Sequence, residues 1–249
     1  MLIKFEIRRG QRMKKKKEVK NDSNNRVWEI DMLRGILVVF LIIFHTIYDL
    51  EFLYNIPIGY TTGFIYISGR IVATSFILVS GISTVFSRNS FKRGIIVFFT
   101  AMIITLGTYI FDKDFFVIFG ILHLLSICMM VSPLLKKLSP LWLFIISILL
   151  ASTYFVIPYI NVTHNLFFMF GIHNGEFSSS DYYPILPWAW AFVLGIALGK
   201  IMYKEKKSIF KFSVRENPLN YLGRHSLWIY VFHQPVILLL LTVIMGRTP

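Results

Sequence analysis

A chain of 249 residues that is 55% hydrophobic, with a mean hydropathy of +0.64, is too apolar for a soluble domain of that size and belongs to the polytopic membrane class. A formal net charge of +13 would direct a soluble protein to nucleic acid. Here the basic residues gather in a tail and in connections between apolar runs, which excludes that partner in favour of a positive-inside membrane topology. Cys128 is the only cysteine, so no internal disulfide forms. Its apolar surroundings read as those of a packed thiol.

The chain opens on a basic segment, residues 1–25, with K-K-K-K-E-V-K-N-D running from position 14. Such a segment lies against anionic lipid on the cytoplasmic side. No small-residue cleavage site follows it, so it does not read as a secretory signal. Met13 is an alternative start, because Arg8-Arg9-Gly10 resembles a ribosome-binding site translated as protein.

Residues 26–249 read as one transmembrane domain. About seven apolar runs are long enough to cross a bilayer, near 32–50, 64–86, 94–111, 115–133, 141–160, 184–203 and 226–245. The expected fold is therefore all-α, a polytopic helix bundle. The connections alternate in charge. The segments 49–63 and 161–181 lack Lys and Arg, and Asp112-Lys113-Asp114 is acidic on balance. The others carry Arg88, Lys92, Arg93, Lys136, Lys137 and the strongly basic stretch 200–224. This places the N-terminus in the cytoplasm and the C-terminus outside.

The ionisable groups inside these spans are functional candidates, because charge in hydrocarbon is costly. His45 lies deep in the first span with Asp49 at i+4, and Arg34 sits about 16 Å earlier on the same helix. Arg70 and His123 enter from the outer side in the second and fourth spans, to depths of roughly 10 Å. His45, Asp49, Arg70 and His123 are thus expected to share one outer-to-middle layer as the catalytic set. Asp181, Tyr182 and Trp188 stand at the outer mouth of the sixth span. His233-Gln234-Pro235 is expected nearer the cytoplasmic half of the last span, where the proline frees a backbone carbonyl.

The blocks W-E-I-D-M-L-R-G with F-H-T-I-Y-D-L, F-G-I-L-H-L-L-S, D-Y-Y-P-I-L-P-W with L-G-I-A-L-G, and L-G-R-H-S-L-W-I-Y-V-F-H-Q-P carry a resemblance. Together they resemble the heparan-alpha-glucosaminide N-acetyltransferase catalytic-domain family, above all its bacterial branch, within a wider group of transmembrane acyltransferases. The likeness runs from about Arg26 to Pro235. It implies transfer of an acyl group, in the first instance acetyl, from cytoplasmic acyl-CoA to a hydroxyl or amine of an extracytoplasmic sugar, lipid or envelope acceptor. The wider group has a histidine at the place of His45. The lysosomal heparan enzymes have asparagine there and a catalytic histidine in a loop that has none here near Ile56, so their glucosamine substrate does not carry over.

On this basis His45 is expected to act as general base or, in a variant, as an acyl-carrying nucleophile. Arg70 or His123 would stabilise the oxyanion, with Asp49 orienting His45. Arg34, Asp31, Arg224, Asp181, Tyr182, Trp188, His233 and Gln234 are the expected donor- and acceptor-binding residues. No bound cofactor or metal is expected, and acyl-CoA is a substrate. The implied place is the plasma membrane of a bacterium. Two other classes compete. One is a proton-coupled transporter or flippase for an anionic lipid or sugar, built on Arg70, His45 and Asp49, although no inverted repeat is visible. The other is a haem protein ligated by His45 and His123. No P-loop, dinucleotide fingerprint, zinc spacing or nucleophile elbow is present.

Overall fold

A computed structural model describes residues 27–113, 116–205, 207–212, 214 and 217–248. The basic tail expected at 1–25, with Met13, lies outside the described residues, as does Asp114. Among the described residues the helices are α1 (Trp28–Phe52), α2 (Gly63–Thr84), α3 (Ser90–Phe111), α4 (Ile121–Leu135), α5 (Pro140–Ser152), α6 (Ile185–Met202), α7 (Pro218–Arg224) and α8 (Ser226–Met245). The only β pairing among them is an isolated parallel bridge between Phe119 and Tyr182. The protein is an all-α polytopic membrane bundle.

Six helical segments are long and apolar enough to cross a membrane: α1, α2, α3, α6, α8, and α5 extended by short 3₁₀ turns to Tyr159. The fourth expected run behaves differently. Its helix starts only at Ile121 and has 15 residues, a length of about 22 Å against a hydrocarbon core of about 30 Å. The physical reason lies upstream. Phe119 leaves the helix to pair with Tyr182, and the Tyr183 N–H donates to the Phe119 carbonyl at 3.0 Å. Helix α7 breaks the basic stretch 200–224, with Pro218 in its first turn and the Asn217 side chain accepting from the Asn220 N–H at 2.9 Å.

Hydrocarbon offers no hydrophobic drive for helices to associate, so close backbone packing must hold them together. Glycines supply it. A Cβ on Gly81 would strike the Phe192 carbonyl, and one on Gly195 the Leu78 carbonyl, which seats α2 directly on α6. Gly195 and Gly199 form a small-xxx-small pair in G-I-A-L-G. Gly35 and Gly223 bring α1 and α7 together in the same way, against the Leu219 and Asp31 carbonyls. At the end of the bundle that carries the basic connections, Lys136 Nζ donates to the Thr84 and Ser87 carbonyls at 3.1 and 3.2 Å, and Lys200 Nζ to that of Lys136 at 3.0 Å. Ammonium groups there complement helix C-termini. Helices α1 and α8 run parallel, because their contacts advance together: His45 with His233, Asp49 with Gln234, Tyr54 with Thr242.

Gly195→Ala should force α2 and α6 apart and destabilise the protein by about 1–3 kcal/mol. Thermal denaturation in detergent should show a lowered Tm. Gly107→Ala, at a position with no atom within 4 Å of the added carbon, should leave Tm unchanged.

Candidate active site

A cavity of about 210 Å³ lies at the opposite end of the bundle from the lysine clamps, between the second half of α1, the first half of α2, the start of α4, the segment 180–188 and Tyr230 of α8. Five of the expected residues line it: His45, Arg70, Asp181, Tyr182 and Trp188.

His45 is placed by its own helix. Its Nδ1 lies 2.9 Å from the Leu41 carbonyl one turn back. A carbonyl only accepts, so Nδ1 carries a proton, and whenever the ring is neutral Nε2 is its acceptor. The ring packs edge-on against His233, with centroids 4.6 Å apart. His233 Nδ1 donates to the Tyr230 carbonyl, so the second imidazole is locked as well.

Asp49 is fully buried and does not line the cavity. Its two oxygens accept from the Gln234 amide at 2.8 and 2.9 Å. The expected direct orientation of His45 by Asp49 is therefore replaced by a different arrangement. Asp49 pins α8 to α1 through Gln234, and that places His233 against His45. His233 and Gln234, expected nearer the cytoplasmic half, sit in the same layer as His45 and Asp49. A parallel α8 brings its early turns up to the later turns of α1.

Asp181 is anchored by two elements, the start of α4 and α8. Its carboxylate accepts from the Ile121 N–H at the start of α4 at 3.2 Å and from the Tyr230 hydroxyl at 3.4 Å. Gly120 leaves the space it fills, since a Cβ there would collide with the carboxylate. A helix N-terminus is a natural seat for an anion. Burial nevertheless pushes the Asp181 carboxyl above its ordinary range, against the opposite pull that His45 exerts when protonated and that of the two hydrogen bonds. Tyr60 is likewise raised to about 12, chiefly by burial and then by Asp181, so its phenol stays protonated. The Tyr182 hydroxyl is committed to the Phe168 carbonyl at 2.6 Å.

Arg70 lies between aromatic faces. Its guanidinium carbon is 4.8 Å from the Trp188 ring centroid and 5.4 Å from that of Tyr66, and one N–H donates to the Tyr66 hydroxyl at 2.9 Å. His123 does not join this group. Its Nδ1 accepts from the Gly120 N–H at 3.2 Å, its Nε2 lies 3.3 Å from the Thr105 hydroxyl, and its ring stacks on Phe119. Both nitrogens are occupied, Nδ1 in capping α4 and Nε2 against α3, and His123 does not line the cavity.

At the other end of α1, Arg34 is 3.9 Å from Asp31, and Gly223, next to Arg224, packs on the Asp31 backbone. The expected donor-end residues Arg34, Asp31 and Arg224 are thus grouped together, apart from the cavity. The expectation missed the tyrosines. Tyr48, Tyr60, Tyr66, Tyr183 and Tyr230 line the cavity, with Ser180. Tyr48 stands three residues after His45 and Tyr230 three before His233, a spacing that puts each near its histidine. Tyr60 and Tyr66 carry no such signal.

With this geometry in place, the comparison with known families is decisive. A model of the heparan-alpha-glucosaminide N-acetyltransferase catalytic domain matches residues 26–235. The chain belongs to that family. Membership makes it a membrane acetyltransferase, and the matched region contains every residue that lines the cavity. No curated protein and no solved structure matches the chain.

Since folding raises the Asp181 value, the native state holds this proton more tightly than the unfolded chain. The group's contribution to stability is full below about pH 4 and is lost as pH rises through the folded-state value. Asp181→Asn removes that dependence. The Tm of wild type relative to Asp181→Asn should therefore fall as pH is raised from about 4 to about 8, measured by differential scanning fluorimetry in detergent.

Proposed function

We propose that the protein transfers an acetyl group from cytoplasmic acetyl-CoA to a hydroxyl or amine of a sugar, lipid or other envelope acceptor on the far side of a bacterial plasma membrane, with the cavity around His45 as the reaction site. The observation that carries this is His45, with Nδ1 already bonded to Leu41, in the lining of a cavity in a member of an acetyltransferase family.

His45 Nε2 takes the proton from the acceptor O–H or N–H as that atom attacks the thioester carbonyl. The new C–O or C–N bond forms, and the carbonyl electrons move to oxygen. Arg70 offers its guanidinium to that oxyanion. Collapse of the intermediate breaks the C–S bond, and the departing CoA thiolate takes its proton from the His45 imidazolium. Asp181 stabilises the positive charge that His45 acquires in between. Asp49, Gln234 and His233 act as positioning residues, since they fix His45 without lining the cavity. The donor's nucleotide phosphates bind at the Arg34–Arg224 end, and the pantetheine arm runs about 16 Å along α1 to His45. This orientation is supported by the charge of the connections, since the lysine-capped helix ends lie opposite the cavity.

The test is CoA release from acetyl-CoA by purified protein in nanodiscs supplied with a pool of envelope sugars and lipids. His45→Ala should lower the rate by about 10²–10⁴-fold. Full activity in that variant would remove His45 from the chemistry. Arg34→Ala should raise KM for the donor with kcat nearly unchanged, and an unaltered KM would take Arg34 out of donor binding. Proton-dependent flux with no CoA release from any acyl-CoA would favour the transporter class instead.

A further inference from the structure

A second cavity, of about 260 Å³, abuts the first and shares two walls with it, Arg70 and Trp188. Its remaining lining comes from Thr74 of α2, Ala151 of α5, Tyr154 and Phe155 just beyond it, and Pro187 and Trp190 of α6. Arg70 is the one charged group in that lining. Tyr154 and Phe155 are 55% and 72% exposed and belong to the membrane-crossing segment 140–159. The second cavity is therefore an apolar, aromatic groove that opens sideways on the bilayer, near the segment's end, where aromatic side chains meet headgroups.

Arg70 stands where the two cavities join. A guanidinium has five N–H donors. One of them is given to Tyr66, and among the described residues no carboxylate lies within ion-pair distance of it. Trp188 and Tyr66 hold the group in place by its faces, leaving its charge without an anion. Charge inside a membrane is kept where it meets a counter-charge. A planar fork of donors suits a phosphate. A water-soluble sugar would need only the first cavity, whereas an apolar lateral groove ending at a cation fits a chain attached to an anionic headgroup.

We infer that the acceptor is an amphiphile, with a phosphate or similar anionic headgroup held by Arg70 donors other than those given to Tyr66 and the oxyanion, and a hydrocarbon chain lying in the groove between α2, α5 and α6. It reaches His45 from the side, out of the membrane. The acceptor role rests on the acetyl-transfer reading above, whereas the lipid seat stands on the groove and Arg70 alone.

The test uses full-length protein in phosphatidylcholine nanodiscs containing a graded series of mole fractions of dibrominated phosphatidic acid or dibrominated phosphatidylcholine. In a background with Trp28, Trp142 and Trp228 replaced by Phe, the last two of which are exposed on membrane-crossing helices, bromine quenches the remaining Trp188 and Trp190 on contact. Phosphatidic acid should quench at about fivefold lower mole fraction than phosphatidylcholine. Arg70→Gln should abolish that preference, Arg70→Lys should retain part of it, and the groove-filling Ala151→Phe should weaken quenching by both lipids. Equal quenching by the two lipids with Arg70 intact, or a preference that survives Arg70→Gln in folded protein, would overturn the inference. Displacement of the quencher by millimolar inorganic phosphate would assign Arg70 to a soluble anion and overturn it equally. The readout needs no turnover. Loss of His45-dependent CoA release with the lipid preference intact would strike the acetyl-transfer reading alone, and the reverse pattern would strike only the lipid seat.

Discussion

Inside a bilayer there is no water to receive a polar group, so each one must find a partner in the protein or face a cavity. The arrangement of this bundle follows from that constraint. Asp49 is matched by Gln234, His123 by Gly120 and Thr105, and Ser132 by Ser90 at 2.7 Å. These pairings tie α1 to α8, cap α4 and staple α3 to α4. At the cavity, His45 offers Nε2 and Arg70 the donors beyond the one given to Tyr66. Polar groups that tie helices together are thus separated from those that line the cavity.

Glycine makes the separation possible. Backbones that touch at Gly81 and Gly195, and at Gly35 and Gly223, draw the helices close on one side of each pair. The same holds at Gly120, where a missing side chain admits the Asp181 carboxylate to the start of α4. An added methyl at that position would move the acid without altering any residue that touches the cavity. The connection 179–183 is then locked by the Phe119–Tyr182 bridge and by the Ile118 N–H on the Ser179 hydroxyl. A loop at the mouth of a membrane protein is in this way held as firmly as a helix.

Much of this was legible in the sequence. Long apolar runs and alternating basic connections specify helices and their order, because both reflect a solvent that acts on every residue in the same way. The cost of burying charge points to His45 and Arg70 and the family resemblance to Asp181, Tyr182 and Trp188, and all five line one cavity. Asp49 at i+4 suggests a carboxylate that orients His45, and spacing on one helix cannot show the Gln234 amide that arrives from α8 to take both its oxygens. His123 looked equivalent to His45 for the same reason. A histidine one turn into a helix has a second use, as a cap for its own N-terminus, and only the break at Gly120 reveals it. The shortening of the fourth span was hidden because a bridge to Tyr182 links segments about sixty residues apart, beyond the reach of any local periodicity.

The central claim is that the intrahelical bond to Leu41 leaves His45 Nε2 as the acceptor that faces the cavity. Nitrogen NMR of isotope-labelled histidine in the purified protein tests it most directly, with the His45 signal assigned by its loss in His45→Gln. A neutral ring protonated at Nδ1, whose Nε2 resonance moves when a nucleophilic acceptor is added, is the predicted result. A ring protonated at Nε2, or one whose Nε2 resonance ignores every acceptor, would contradict the account.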